Sequence, residues 1–406
     1  MPDPSVTVPS HVPPELIWDE SIDDFPARFA DPYVGACEAI HAGPDLVWAA
    51  QGAYCGQPGW MLTRFAHVQE AHLNPAIFSA ANNRDASNLL GFDLPLIPGE
   101  SDPPQHRFYR QLLAPFFQPS AVAALDGMIH TTCDELIAGF EDRGGCEFVS
   151  EFSSLFPSYI FLALMDLPRE MLPQFLAWEH GFLRGQTIQE RIDAIIAIYA
   201  YFKERLDERR RSPGDDLITR IATGTVEGRP LTEAEAVGTC LTLYIGGLDS
   251  VASGLGWYLR HLALDQDLQA RLRGEPSLIP AAVEEFSRAY GTNSNKRILT
   301  NDLDFHGAPM RQGDIVSLPT FLCSRDPREH TDPHRINLDR KGRNMTFGAG
   351  AHNCIGIHLA KRELRIVLGQ FLSRFDRFRI ADDAEVVWTT QTIWGVKRLP
   401  LTWSQK

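Results

Sequence analysis

Between Thr232 and about Leu264 the sequence specifies one long helix whose middle, LTLYIGGLDSVASGLGW, is apolar on nearly every face. A helix without a polar face has to run through the interior, so the remaining fold must be built around it. Its start is marked locally: Thr232 and Glu235, three residues apart, make a capping box, and Gly228-Arg229-Pro230 just before them is a turn signal. Two features do not suit an ordinary core helix. Gly246 and Gly247 each cost about 1 kcal/mol relative to alanine in a helix interior. Asp249, next to Ser250, places a carboxylate where burial is expensive without a partner or a task. Tight helix packing explains glycines standing alone; with the acid and alcohol beside them, close approach of a flat ligand or a local distortion of the helix explains them better.

Around that helix the chain reads as mainly α. From about residue 120 to 290, stretches such as VAALDGMIHTTCDELIAGF and RIDAIIAIYAYFKERLDERRR carry apolar residues at i, i+3, i+4 and i+7. Strand signals are few and fall in two places, RILTNDLDFHGAPMRQGDIVSLP, punctuated by Gly307 and Gly313, and the C-terminal VVWTTQTIWGVKRLPLTW. The 406 residues contain no internal repeat and no long linker, which predicts one unit spanning 1–406. A formal charge of −14 argues against nucleic acid or an anionic membrane as the general partner. The Pro-rich start, MPDPSVTVPSHVPPEL, has neither a leader pattern nor a long apolar run, so the expected location is the cytoplasm. Seven cysteines without CxxC spacing fit a reducing compartment, most of them as plain buried thiols.

One cysteine stands apart. In FGAGAHNCIGIHLA, Cys354 lies among Gly348, Gly350 and Gly356 and just before a helical period running through Ile357, Ala360, Leu364, Val367, Leu368, Phe371 and Phe375. That position favours a thiolate. A structural thiol in a glycine-rich turn is the default reading. Zinc on His352, Cys354 and His358 lacks the several thiolates usual in structural sites, and a dinucleotide loop lacks its third glycine, replaced by Asn353, and a preceding strand. An axial ligand to haem iron needs one cysteine, glycines beside a flat macrocycle, and cations for its carboxylates.

FGAGAHNCIG resembles the haem-thiolate loop of the cytochrome P-450 monooxygenases, Phe-Gly-x-Gly-x-His/Arg-x-Cys-x-Gly, in every element, from Phe347 to Gly356. Further motifs agree along nearly the whole chain. Glu285 and Arg288 match the family's Glu-x-x-Arg, and Arg335 resembles the arginine completing its buried ion network. GGLDSV resembles the oxygen-binding stretch of the central helix, where Gly246 and Gly247 make room for the haem face. His106, Arg110, Arg297 and His352 match positions that bind the haem carboxylates. LYIGGLDSV, RILTNDLDFHG and FGAGAHNCIGIHLAKRE are nearest the bacterial camphor hydroxylase type.

The resemblance implies the P-450 fold, mainly α with a small β region, with haem b buried between the long central helix and the cysteine loop. It implies Cys354 as the iron ligand and Asp249 with Ser250 as the proton-delivering pair in C–H hydroxylation by O2. Ser250 stands where threonine is usual, so its hydroxyl is less fixed about χ1. Electrons would come from a [2Fe–2S] ferredoxin and its NADH-dependent reductase, docking on Arg107, Arg110, Lys341, Arg343, Lys361 and Arg362. Positions matching the relative's pocket are Leu94, Leu96, Thr242, Ile245, Asn293, Thr392 and Ile393. Leu94 replaces the tyrosine that bonds camphor's ketone, which shifts the expected substrate to another compact apolar molecule, such as a monoterpenoid or norisoprenoid. The alternative is a haem-thiolate sensor or electron carrier without hydroxylase activity.

Overall fold

A computed structural model describes residues 8–391 and 393–404. Five helices hold the residues singled out by the sequence or their supports: α1 (Phe65–Leu73), α2 (Gln105–Phe117), α3 (Glu233–Leu264), α4 (Ile279–Ala289) and α5 (Ile357–Arg374). The chain folds as two compact units. One comprises Met1–Asn83, Ser253–Cys354 and Arg377–Leu401; the other comprises Arg84–Ala252, Ile355–Asp376 and Thr402–Lys406. The fold is predominantly helical with a small sheet region, as the sequence leads one to expect.

The first unit contains the main sheet. Its strands are β1 (Ile17–Trp18), β2 (Leu46–Tyr54), β3 (Gln57–Leu62), β4 (Phe78–Ser79) and β5 (Ser294–Leu299), then the hairpin β6 (Leu303–Phe305) and β7 (Ala308–Met310), and β8 (Ile315–Pro319). The six-stranded order is β1-β2-β3-β8-β5-β4. β5 and β8 run antiparallel with Arg297 opposite Val316, and β3 runs parallel to β8. The strands β5 to β8 are those expected from the punctuated segment around Gly307. β2 and β3 are not, although Tyr54 and Gln57 pair across a two-residue turn in which Cys55 (φ 48°) and Gly56 (φ 72°) are both left-handed. Such turns suit the twist of the flanking strands. A core of Trp48, Trp60, Phe65, Phe78, Phe305, Val316 and Met345 fills the space between this sheet and α1.

The second unit is helical. Leu113, Phe161, Phe175, Ile195, Ile198, Phe202, Leu241 and Tyr244 form its core, and the helices Leu172–Arg184 and Ile188–Arg211 pack on one another. The capping box forms as read: Glu235 N donates to Thr232 Oγ1 at 3.2 Å, and Thr232 N donates to Glu235 Oε2 at 2.7 Å. Glu235 is further held by Arg229 and the Tyr109 hydroxyl, which together hold its carboxyl down at about 2. Among the described residues no single helix is long and apolar enough to cross a membrane.

Candidate functional site

The cysteine loop owes its path to two glycines. Gly348 (φ 67°) and Gly350 (φ 64°) occupy left-handed conformations that side-chain-bearing residues rarely adopt. A methyl group at Gly350 would also meet the His72 carbonyl oxygen at 2.8 Å, so the loop lies directly on the last turn of α1. Cys354 N donates to Phe347 O at 2.8 Å, and the Asn353 amide donates to Phe347 O and Gly348 O, each at 3.3 Å. Gly356 is the N-cap of α5, with φ −84°, a value open to any residue, so handedness does not demand glycine there.

Among the cysteines only Cys354 combines partial exposure with such a loop. Cys37, Cys133, Cys146, Cys240 and Cys323 are buried, and burial pushes their thiols up, that of Cys37 to about 12. Cys55 is exposed in the β2–β3 turn.

Upstream, the loop is anchored by a buried ion network on α4. Arg288 donates through Nε and Nη2 to the two Glu285 oxygens, both at 2.8 Å, and through Nη1 to the carbonyls of Ser324 and Pro333, both at 2.9 Å. Burial pulls the Glu285 carboxyl up, but the hydrogen bonds and charge of Arg288, with help from Asn337 N and Arg340, hold it below its ordinary value. The third arginine is Arg340, whose Nε donates to Glu285 Oε1 at 3.0 Å. This corrects the expectation for Arg335. Its side chain is exposed, and only its carbonyl takes part, accepting from Arg340 Nη2 at 3.1 Å. Thr346 Oγ1 then donates to Ser287 O at 2.6 Å, tying the start of the loop to the same helix.

Arg297 is buried on β5 in the same unit, and its Nη1 donates to Lys296 O at 2.8 Å; His352 is half-buried in the cysteine loop. Asn293 and Ile393, both half-buried, are paired by an antiparallel bridge, and Asn293 O accepts from Thr320 N and Oγ1. Thr392 lies outside the described residues. Lys341 is exposed, and Arg343 is drawn aside by Glu329, Gln69 and the Phe65 ring.

In the helical unit, α3 is buried along most of its length, yet Thr242, Ile245, Gly246 and Ser250 share one face that is not. Gly246 is exposed, and nothing lies within 4 Å of where its Cβ would be; Gly247 instead meets the Phe161 ring at 3.2 Å. Of the two glycines, therefore, Gly246 keeps the face open and Gly247 fits α3 against its neighbour. Asp249 is 8 % exposed. Ser250 Oγ donates to Gly246 O at 3.0 Å, which commits its hydrogen and leaves its lone pairs outward.

Leu94 departs from the pocket expectation. It is fully buried in the apolar core, with its backbone N–H held by Ser87 Oγ at 3.0 Å, whereas Leu96 is half-buried. The loop reaches this depth because Gly238 of α3 has no side chain: a Cβ there would overlap the Pro95 carbonyl oxygen at 1.9 Å. On α2, His106 is buried, Arg110 half-buried and Arg107 exposed. Lys361 is half-buried on α5, where Arg362 is engaged by both oxygens of Asp126.

Sequence reading did not single out His72, Arg340 or Glu363. Burial, aided by the charge of Arg297, pushes the His72 imidazole down to about 3. Glu363 lies inside α5, 3 % exposed, and burial alone raises its carboxyl well above the ordinary value.

An interior helix with one uncovered glycine face and a lone cysteine in a loop of left-handed glycines suit a protein that holds a flat, thiolate-bound cofactor. Comparison with known proteins gives that class its family. The Cytochrome P450 family profile matches residues 146–392, and this chain belongs to that family. It is 33% identical over 403 residues to the "Probable cytochrome P450 127A1" of Sinorhizobium fredii, covering 98% of this chain and 97% of the relative. It is 30% identical over 338 residues to the "Steroid C26-monooxygenase" of Mycolicibacterium smegmatis, covering 80% and 82%. The crystal structure of cytochrome P450 CYP101C1 superposes with a TM-score of 0.87 at 31% identity, over 98% of this chain and 100% of that one. The protein is accordingly a monooxygenase that binds haem b through a cysteine thiolate.

The residues fit that group. Both ring nitrogens of His72 are buried with no hydrogen-bond partner among the described residues, beside the cationic Arg297, as a site for an anionic carboxylate requires. The open Gly246 face offers contact to a flat ring without a side chain in the way.

Proposed function

We propose that this P450 hydroxylates a small, compact apolar molecule of the terpenoid kind, with electrons from a [2Fe–2S] ferredoxin and its NADH-dependent reductase. In this reading Cys354 is the axial thiolate, and residues 1–406 work as one cytoplasmic haem domain. The observation that carries it is the Cys354 loop, the one cysteine environment that is partly exposed and set in left-handed glycines.

Bound through a thiolate, haem supplies oxygen activation, in which one atom of O2 enters the substrate and the other leaves as water. The chain's own residues do the rest. Asp249 holds a proton-transferring carboxyl away from bulk water, and Ser250, its hydrogen already given to Gly246 O, accepts hydrogen bonds on the open face of α3. By the family resemblance His106, Arg110, Arg297 and His352 neutralise the haem carboxylates and Phe347, Gly348 and Gly356 belong to the cofactor loop, while Gly246 leaves room for the ring and Gly247, filled against Phe161, seats α3 instead. The positions that the family resemblance assigns to the pocket, Leu96, Thr242 and Ile245 in the helical unit and Asn293 and Ile393 in the other, are mostly apolar, which suits a substrate with at most one carbonyl or hydroxyl. For ferredoxin docking the proposed cations are Arg107, Arg110, Lys341, Lys361, Arg343 and Arg362, of which Arg107 and Lys341 are exposed while Arg343 and Arg362 are offset by Glu329 and Asp126.

The test is a reduced–CO spectrum with a terpenoid panel added to the ferric protein. A strongly red-shifted Soret band, lost in Cys354→Ala, and a low- to high-spin shift with a panel member are expected. A histidine-type carbonyl spectrum would remove Cys354 from the iron, and no spin shift across the panel would remove the substrate class. Ser250→Thr is expected to raise product per NADH, since the added methyl restricts χ1. An unchanged ratio would show that the hydroxyl's freedom has no bearing on coupling.

A further inference from the structure

His72 lies in the last turn of α1 and is 3 % exposed, yet neither ring nitrogen has a hydrogen-bond partner among the described residues. An orphaned buried polar group costs about 1–3 kcal/mol, so such groups call for an explanation. Packing alone does not supply it, because a leucine or phenylalanine would fill the space without the penalty. The ring instead lies where the cysteine loop crosses α1: a methyl group at Gly348 would be 3.7 Å from His72 Cε1, and one at Gly350 2.8 Å from the His72 carbonyl oxygen. Among the described residues, the charge that acts on it is that of Arg297. A buried N–H donor within the field of a cation thus lies beside the loop that carries Cys354, and in a haem protein the anion that matches them is a haem carboxylate.

Resting on the haem-thiolate reading, we propose that His72 donates a ring N–H to a haem carboxylate, sharing that group with Arg297, and so positions the cofactor. A neutral imidazole supplies one such donor, and a hydrogen bond to a charged group is among the stronger ones available. His72 thereby adds α1 to the elements holding the cofactor, a role that none of the sequence motifs assigns to it.

The experiment is transfer of haem from the loaded enzyme to excess apomyoglobin, comparing wild type with His72→Phe, which keeps a ring and loses both nitrogens. With native haem, His72→Phe is expected to release it about 10- to 100-fold faster. The same pair is then reconstituted with haem dimethyl ester, which has no carboxylates. The two proteins should now release the ester at equal rates, a result that a purely structural role for His72 would not produce. Equal release of native haem, or the same acceleration with the ester, would overturn the proposal. If His72→Phe does not fold, His72→Leu, which has no donor, is read in the same two assays: faster than wild type with native haem and equal with the ester supports the proposal, and no difference between the two haems overturns it. Loss of the red-shifted carbonyl band in wild type is a separate result, and it would strike the haem-thiolate reading itself.

Discussion

Arg288→Ala is expected to lower the unfolding free energy by about 3–5 kcal/mol, because it leaves Glu285 as a buried charge without its bidentate partner. Arg335→Ala is expected to stay within about 0.5 kcal/mol, the range of surface substitutions. The contrast follows from the geometry. Arg288 makes two hydrogen bonds to Glu285 and two to the carbonyls of Ser324 and Pro333, all at 2.8–2.9 Å. Arg335 contributes only a backbone carbonyl, which alanine keeps. Arg340→Ala should fall between them: it removes one hydrogen bond to Glu285 and the contacts to Thr331 O and Asp332 O, but leaves the Glu285–Arg288 pair intact. Denaturant midpoints of the three variants decide the order. An Arg335→Ala midpoint as low as that of Arg288→Ala would restore Arg335 to the network. Since Thr346 hangs from Ser287 on the same helix, Arg288→Ala should also loosen the Cys354 loop and shed haem faster than wild type. The pH dependence has a definite sign. Glu285 is held below its ordinary value in the fold, so its contribution is present at neutral pH and lost as pH falls through the folded value.

What could be read in the sequence depended on how local the determining contacts are. The capping box of α3 is a three-residue pattern and forms with both of its hydrogen bonds. The β6–β7 hairpin was legible through Gly307, which turns at φ 87° after His306 at φ 52°. The β2–β3 hairpin has the same turn geometry at Cys55-Gly56, but cysteine is not a turn residue by habit, and β2 is buried on both faces and so shows no alternation. Glu285 and Arg288 share a helix face at i, i+3, whereas the third arginine depends on the path of the loop between Pro333 and Arg340, and that path turns Arg335 outward. Leu94 illustrates the same limit: counting residues placed it at a pocket position, but the gap at Gly238 lets its loop sink until the side chain joins the core. His72, in EAHLNP, carries no sequence signal at all. Its significance comes from burial beside Arg297 and a loop nearly three hundred residues away.

Glu363→Gln is expected to stabilise the protein at neutral pH and to leave it nearly unchanged at acid pH. Glu363 lies within α5, and its Oε2 is buried with no hydrogen-bond partner among the described residues. Burial raises its pKa, with no offsetting cation among the described residues, so the folded protein keeps this carboxyl protonated well above its ordinary value of 4.5. In the unfolded chain it ionises normally. Below the unfolded value both states hold the proton, and the residue makes no pH-dependent contribution. Above it the folded state binds one more proton than the unfolded state, so stability falls by about 1.4 kcal/mol per pH unit until the folded value is reached. Glutamine has no proton to lose and removes that slope. The difference between variant and wild type should therefore widen by roughly 1.4 kcal/mol for each unit above the ordinary carboxylate range, a large effect against a typical total of about 5–15 kcal/mol. Denaturant titrations at successive pH values measure it directly. A constant difference across that range would mean that Glu363 is ionised in the fold and has a cationic or hydrogen-bonding partner. The sign is opposite to that at Glu285, where the fold holds the charged form. Two glutamates of one chain are thus expected to have opposite slopes: stability gained at Glu285 on α4 as pH rises to the ordinary carboxylate value, and stability lost at Glu363 on α5 as pH rises above it.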